Sequence, residues 1–515
     1  MKKKKVIILI IIIAVIAIAA VSFGVHYLMD AYARYQREEQ LAAASGNQAS
    51  GGQEFPAYVQ NLIRTTMDSP EENGICGEHL EWYYKDEVLV ISGTGKMDEY
   101  IYSAGSAPWY DSLGNQIGCV ILDEGVTSIG DAAFEGCGSL TEIFLPSSLT
   151  YIGERGFSNC SSLMQVSLPD GVTNIGESAF SGCSGLQEII LSDSLANLSG
   201  RVFEGCSSLR EITLPGSITS IGESAFKNCS GLTEITLSSS LTNIGNDAFF
   251  GCSGLTELTI PDSVMSIGDF AFIGCSGLKE LTIPDGVTRI GDSAFMKCYN
   301  LKEITLSDSI TSIGECAFEH CSGLTELTIP DSVMSIGDFA FIGCSGLKEL
   351  TIPDGVTRIG DGVFMWCDNL TELTLPNSVT RIGESAFEYC DNLTELTIPD
   401  SVTSIGNFAF SGCYSLTELT IPDSVTRIGD FAFDGCSGLT EITLSAFLAG
   451  IGEGAFEGCS GLTELTIPDS VTGIGEYAFG GCSDMTIYYS GNALDSYIDD
   501  NSSDWSAQNI VWIKQ

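Results

Sequence analysis

Histidine is almost absent from this chain: three residues in 515, at His26, His79 and His320. No Ser-His-Asp or Cys-His pairing can be assembled from them, which removes the commonest nucleophilic hydrolases. Basic residues are scarce too, 22 Lys and Arg against 67 Asp and Glu, for a net charge of −45. Nucleic-acid binding needs Lys and Arg to displace phosphate counterions, so that class is excluded as well. No Gly-rich phosphate loop stands before a helix; the recurring Ile-Gly-Asp reads as a turn. Carboxylates for glycoside hydrolysis are plentiful, yet nothing singles out one pair. The acidic balance fits an exposed, soluble body with some attraction for cations. No enzyme activity and no cofactor is indicated.

Repetition stands where such motifs would be. Phe134 and Cys137 lie three residues apart, and the pair recurs every 23 residues to Phe479 and Cys482, sixteen times in one register. An unbroken period of this length means stacked copies of one small unit, a solenoid. It also resolves a problem of size, because a single core stops growing well below this length while solenoid units contact only their neighbours. One clear copy runs from Leu255 to Gly277. Leu255, Leu258 and Ile260 have leucine-rich repeat spacing. Leu258 and Ile260 alternate with Glu257 and Thr259, as a strand with one buried face requires. Pro261 ends that strand, and Val264 and Ile267 indicate a second short one. Gly268-Asp269 then turns the chain, and Asp269 is expected to cap a short helical turn over 270–275. Asp, Glu or Asn holds that position in fifteen of sixteen repeats, Gly200 being the exception.

The fold class expected is therefore a leucine-rich repeat solenoid. A parallel β-sheet, about 75 Å long at about 4.8 Å per strand, forms one face. Short strands and short helical turns form the other. Cys252–Asp292 is identical to Cys321–Asp361, an offset of 69 residues or three repeats. Arrays that tolerate added units are seldom built around one catalytic centre. Sixteen of the 19 Cys occupy the repeat position and read as packed thiols rather than a disulfide ladder. Cys76 and Cys119 flank the first cap, where a bridge between them is open.

Lys2 to Lys5 precede an apolar run. Residues 1–5 read as a cytoplasmic basic stub and 6–25 as an N-terminal transmembrane signal-anchor helix, with the repeats exported. The alternative is a cleaved signal peptide at Ala17-Ile18-Ala19 and a secreted product. Residues 26–73 read as a flexible linker, with a short helix over 58–67. Residues 74–116 form an N-terminal β cap, in which 80–84 and 88–91 make a hairpin. The sixteen repeats cover 117–484, and 485–515 is a C-terminal cap.

Residues 76 to about 490 resemble the BspA-like leucine-rich repeat surface proteins of bacteria. The resemblance rests on the 23-residue unit, with its Ala-Phe-x-x-Cys close, and on the cap. The cap elements are Cys76-Gly77, Trp82, Leu89-Val90-Ile91-Ser92-Gly93-Thr94-Gly95, Met97 and Pro108-Trp109. It implies surface display and adhesion to host matrix proteins or other cells. It carries over no binding residue.

Three surfaces are candidates for that role. Glu recurs on thirteen consecutive rungs from Glu188 to Glu464, beside a Thr column from Thr213 to Thr466. Bound cation is one reading of these carboxylates; a solvated polar face is the other, since one carboxylate per rung is sparse for Ca²⁺. Between Phe and Cys, most repeats carry small or polar residues. Phe250, Ile273, Met296, Ile342, Met365, Trp366 and Tyr389 depart from this, and equal positions align on a solenoid. They are expected to form an apolar strip on one flank, the kind of patch that marks interaction sites. Phe447 is a further candidate anchor. The third is Cys316, His320 and Cys321, which lack the fourth ligand zinc needs. The partners expected are an extracellular protein or cell-surface ligand, or a polysaccharide on the Thr/Glu face, with membrane attachment through the N-terminal helix.

Overall fold

Each rung of 23 residues carries the chain once around a stack of Phe rings. From Phe134 to Phe479 these rings lie face to face, with neighbouring centroids 5.2–6.0 Å apart. The computed structural model describes residues 55–100, 106–490, 494–495, 498 and 509–515. The stub and anchor expected over 1–25, and the linker as far as residue 54, lie outside the described residues. Among the described residues no helix is long and apolar enough to cross a membrane.

The architecture is a leucine-rich repeat solenoid with parallel sheets. Strands Glu211–Thr213 and Glu234–Thr236 pair in parallel, Glu on Glu and Thr on Thr, with the Ile between them facing the core. The face is not the single long sheet expected. Between the two caps it divides into sheets of two or three strands. The rung at Glu257 has no strand there, and that at Glu326 keeps one bridge, to Glu303. Like charges directly opposite destabilise a cross-strand pair, and the Glu column repeats that arrangement on each rung from Glu188 to Glu464. The second face, built from two-residue strands such as Ser266–Ile267 and Arg289–Ile290, forms sheets of three to five.

The short helix expected over 270–275 is absent, and the reason is where its amides go. Phe270, Phe272 and Gly274 donate to Asp292, Ala294 and Met296 of the next rung, at 2.8–2.9 Å. Ile273 and Cys275 donate three residues back within their own rung. An α-helix would use every amide internally and leave nothing for stacking. Alternation needs left-handed backbone at two places per rung, here Phe270 (φ 63°) and Gly274 (φ 67°). Asp269 is correspondingly no helix cap: its Oδ1 accepts the N–H of Asp292 on the next rung at 2.9 Å. Asp131, Asn246, Asp292, Asp338, Asp361, Asn407 and Asp430 do the same.

The Cys column is a ladder of thiols, not disulfides. All 19 Cys are free. Each column thiol after the first donates to the carbonyl of the Phe 26 residues earlier, as Cys275 does to Phe249 at 3.2 Å. Burial pushes the Cys252 thiol up to about 12, which leaves it inert as a nucleophile near neutral pH.

Within the segment read as linker, α1 (Ala57–Asp68) is a helix seated on the cap sheet. That sheet begins with antiparallel β1 (Glu72–Gly77), β2 (Leu80–Lys85) and β3 (Val88–Gly93), and β3 continues in parallel into the strand Cys119–Leu122. Cys76 and Cys119 thus lie on strands with two others between them, about 14 Å at normal strand spacing. That is far beyond disulfide reach. Trp109 stacks on Phe134 at 5.4 Å, and Trp512 meets Phe479 edge-on at 6.0 Å. Two indoles therefore close the ends of the Phe stack.

Candidate partner-binding surface

The flank between Phe and Cys is shaped by its backbone. In all sixteen rungs the residue before the column Cys has positive φ. Ten of these residues are Gly and two are Asn. The others are Lys297, His320, Trp366 and Tyr389, with φ between 56° and 62°. Gly is the low-cost choice there, and a bulky residue in that conformation carries strain of the order of 1 kcal/mol.

The expected strip divides into two columns. Phe250, Ile273, Met296, Ile342 and Met365 share the first position after Phe and are only half-buried. They are interrupted by Glu319 and followed by Glu388 at the same position. Lys227 extends over the Phe250 ring at 4.6 Å, which covers that end of the strip. Trp366 and Tyr389 occupy the strained column and project, 42% and 37% exposed. Phe447, 65% exposed, is not on this flank. It replaces the Ser of the turn between the two strand faces, and its amide donates to Ser445 Oγ.

Several exposed rings were not singled out from the sequence. Phe270 and Tyr477, in the other left-handed column, are exposed, while Phe339, Phe408 and Phe431 of that column are half-buried and Phe408 and Phe431 stack at 5.2 Å. Tyr299 and Tyr414 stand just after the column Cys, exposed. The signal for them was alignment by position in the 23-residue unit; expecting a helix over this stretch hid the outward direction of Phe270. Cys316, His320 and Cys321 do not converge. Cys321 donates to Phe295 O in the thiol ladder, and His320 Nε2 lies 3.8 Å from Glu319 Oε1. Among the described residues no three His, Cys, Asp or Glu side chains gather to hold a metal ion.

The Thr/Glu face is open along the middle of the solenoid, but α1 covers its beginning. The Thr column starts as Val90, Ile121 and Phe144, all buried and outside the main core. Tyr58 of α1 meets Phe144 edge-on at 6.2 Å. Glu142 stands on the same strand as Phe144, two rungs before the unbroken Glu column, and burial raises its carboxyl to about 7.

The family model described as the BspA type leucine rich repeat region matches residues 127–256, 242–371 and 357–486. The chain belongs to that family. BspA-type proteins are bacterial surface proteins, and their leucine-rich repeats are in general protein-binding scaffolds. The BspA-type repeats here are similar to those of a leucine-rich repeat protein from Bacteroides ovatus. It is 27% identical over 85% of this chain and 100% of that one, with a TM-score of 0.57. A leucine-rich repeat protein from Eubacterium ventriosum is 24% identical over 71% of this chain and 94% of its own, TM-score 0.41. A leucine rich cell surface protein from Faecalibacterium prausnitzii is 23% identical over 86% and 96%, TM-score 0.33. No curated protein matches this BspA-type chain.

Proposed function

We propose that this is a cell-surface adhesion protein. Residues 6–25 anchor it in the membrane, and the solenoid presents an elongated surface to proteins of a host or of another microbe. The observation that carries the reading is the pair Trp366 and Tyr389. Both are exposed, and both occupy left-handed positions that most rungs give to Gly. A fold selected for packing alone would keep Gly there. Exposed aromatics on a rigid frame are the side chains that anchor protein interfaces.

A second reading, polysaccharide binding, is favoured by the regular Thr and Glu columns on the open sheet face. Binding of the full chain to a panel of matrix proteins, microbial cells and polysaccharides separates the two. Saturable protein or cell binding that Trp366→Ala/Tyr389→Ala abolishes supports adhesion through the flank. Binding confined to polysaccharide and untouched by that change moves the function to the sheet. Silence across the panel removes both readings and leaves an envelope scaffold.

A further inference from the structure

Trp366 and Tyr389 are accompanied by two carboxylates without cations. In the column just after Cys, Ser or Gly stands on twelve rungs. Asp368 and Asp391 are the acidic residues of that column, each two positions from one of the rings. The Asp391 Oδ1 atom is buried with no hydrogen-bond partner. None of the ion pairs among the described residues reaches either Asp. Trp366 and Tyr389 hold one repeat position on successive rungs, and Asp368 and Asp391 hold another two residues further on, so the four stand in one patch.

The duplicated segment provides an internal control. Rungs 69 residues apart share 41 identical residues and then diverge, Lys297 and Tyr299 in one, Trp366 and Asp368 in the other. Repeat packing therefore does not dictate this pair.

We propose that Trp366, Asp368, Tyr389 and Asp391 receive an arginine side chain presented by a partner protein. The inference rests on the adhesive reading and names the chemistry of its partner. A guanidinium is planar, stacks on indole and phenol faces, and pairs with carboxylates through a fork of donors. Lysine lacks the plane and is held more weakly by aromatic faces and paired carboxylates. The long-range field of a chain with net charge −45 steers a basic segment toward it.

The test uses the full chain, a fluorescent peptide Gly-Arg-Gly-Arg-Gly, its Lys twin and a xylohexaose competitor, all at physiological salt. The variant is Trp366→Gly/Tyr389→Gly, which installs the residue of ten other rungs and so keeps the fold; its melting temperature should equal or exceed the parent's. The parent is expected to prefer the Arg peptide by about tenfold, the scale of one desolvated cation–π contact. The double variant, and Asp391→Asn to a lesser degree, should lose that preference. Equal binding of the two peptides, equal binding by parent and double variant, or no binding would overturn the proposal. So would competition by xylohexaose that the double variant abolishes, which would give the site to a sugar. The panel above reports on adhesion, and the peptide pair reports on this site, so one can fail while the other stands.

Discussion

Phe272 shows what one residue carries in a stacked fold. Its ring is fully buried, with Phe249 at 5.3 Å on one side and Phe295 at 5.4 Å on the other. Phe272→Ala opens a cavity in three rungs at once, and truncations of this kind cost about 3–5 kcal/mol. Since each unit contacts only its neighbours, the loss should stay local. Amide exchange should quicken around residues 249–295 and stay unchanged near Phe157 and Phe456. Uniform acceleration along the chain would contradict this picture. The Asp ladder is a smaller version of the same argument. Asp269→Ala removes the acceptor of the Asp292 amide and should cost about 1 kcal/mol by urea unfolding. Glu177 occupies the same position without such a bond, and Glu177→Ala should be near neutral. The Phe and Cys columns are legible in the sequence because burial selects residue types. The Asp bond is not, because helix capping and bonding to the next rung call for the same short acceptor.

At the scale of the element, the strand Glu142–Phe144 combines a docking contact with α1 and a buried carboxyl. Glu142 has a carboxyl raised to about 7 by burial, above its ordinary value of 4.5. The folded state therefore holds a proton that the unfolded chain releases as pH rises through about 4.5. The stability from this group is complete below that pH and declines as pH climbs toward 7, where the folded carboxyl ionises as well. Glu142→Gln should remove that slope and raise the melting temperature at pH 7.5 while changing little at pH 4. A variant that melts lower than the parent at pH 7.5 would show that the carboxylate is stabilised by contacts that outweigh its burial. The helical stretch over 58–67 is readable from its residues. Its docking is not, since Val90, Ile121 and Phe144 become one apolar column only when three strands stand side by side. The helix expected over 270–275 failed for a related reason: local propensity cannot register carbonyls 22 residues away.

The whole molecule behaves as a one-dimensional stack, and its length is adjustable in units of one rung. Removing residues 253–321 joins Cys252 to Ser322 and leaves every following residue in register, because the two segments are identical. The shortened chain should keep the same circular dichroism per residue, with a melting temperature within about 5 °C, the scale of a change of about 1 kcal/mol. Removing 60 residues instead would place polar side chains in the Phe and Cys columns. That protein should aggregate or lose cooperative melting, and a well-folded product would mean that the stack tolerates loss of register. The surface follows the same logic in reverse. Where only the backbone bonds the next rung, as the Trp366 and Lys297 amides do to Glu388 and Glu319, the side chain is free to vary, and Trp366 with Asp368 stands where Lys297 with Tyr299 stood three rungs earlier.

The sequence by itself determined the solenoid, its period, the identity of the buried columns and the acidic outer face. It could do so because burial at a repeated position leaves the same residue type every 23 residues. Tertiary structure alone decided that the turns are not helical, that Asp bonds upward and that the Glu-bearing face is broken into short sheets. It also decided that α1 covers the first rungs and that Trp109 and Trp512 close the stack. Each of these depends on which backbone group lies opposite in the next rung or at the end of the array. That partner is distant along the chain and appears only when the rungs are stacked.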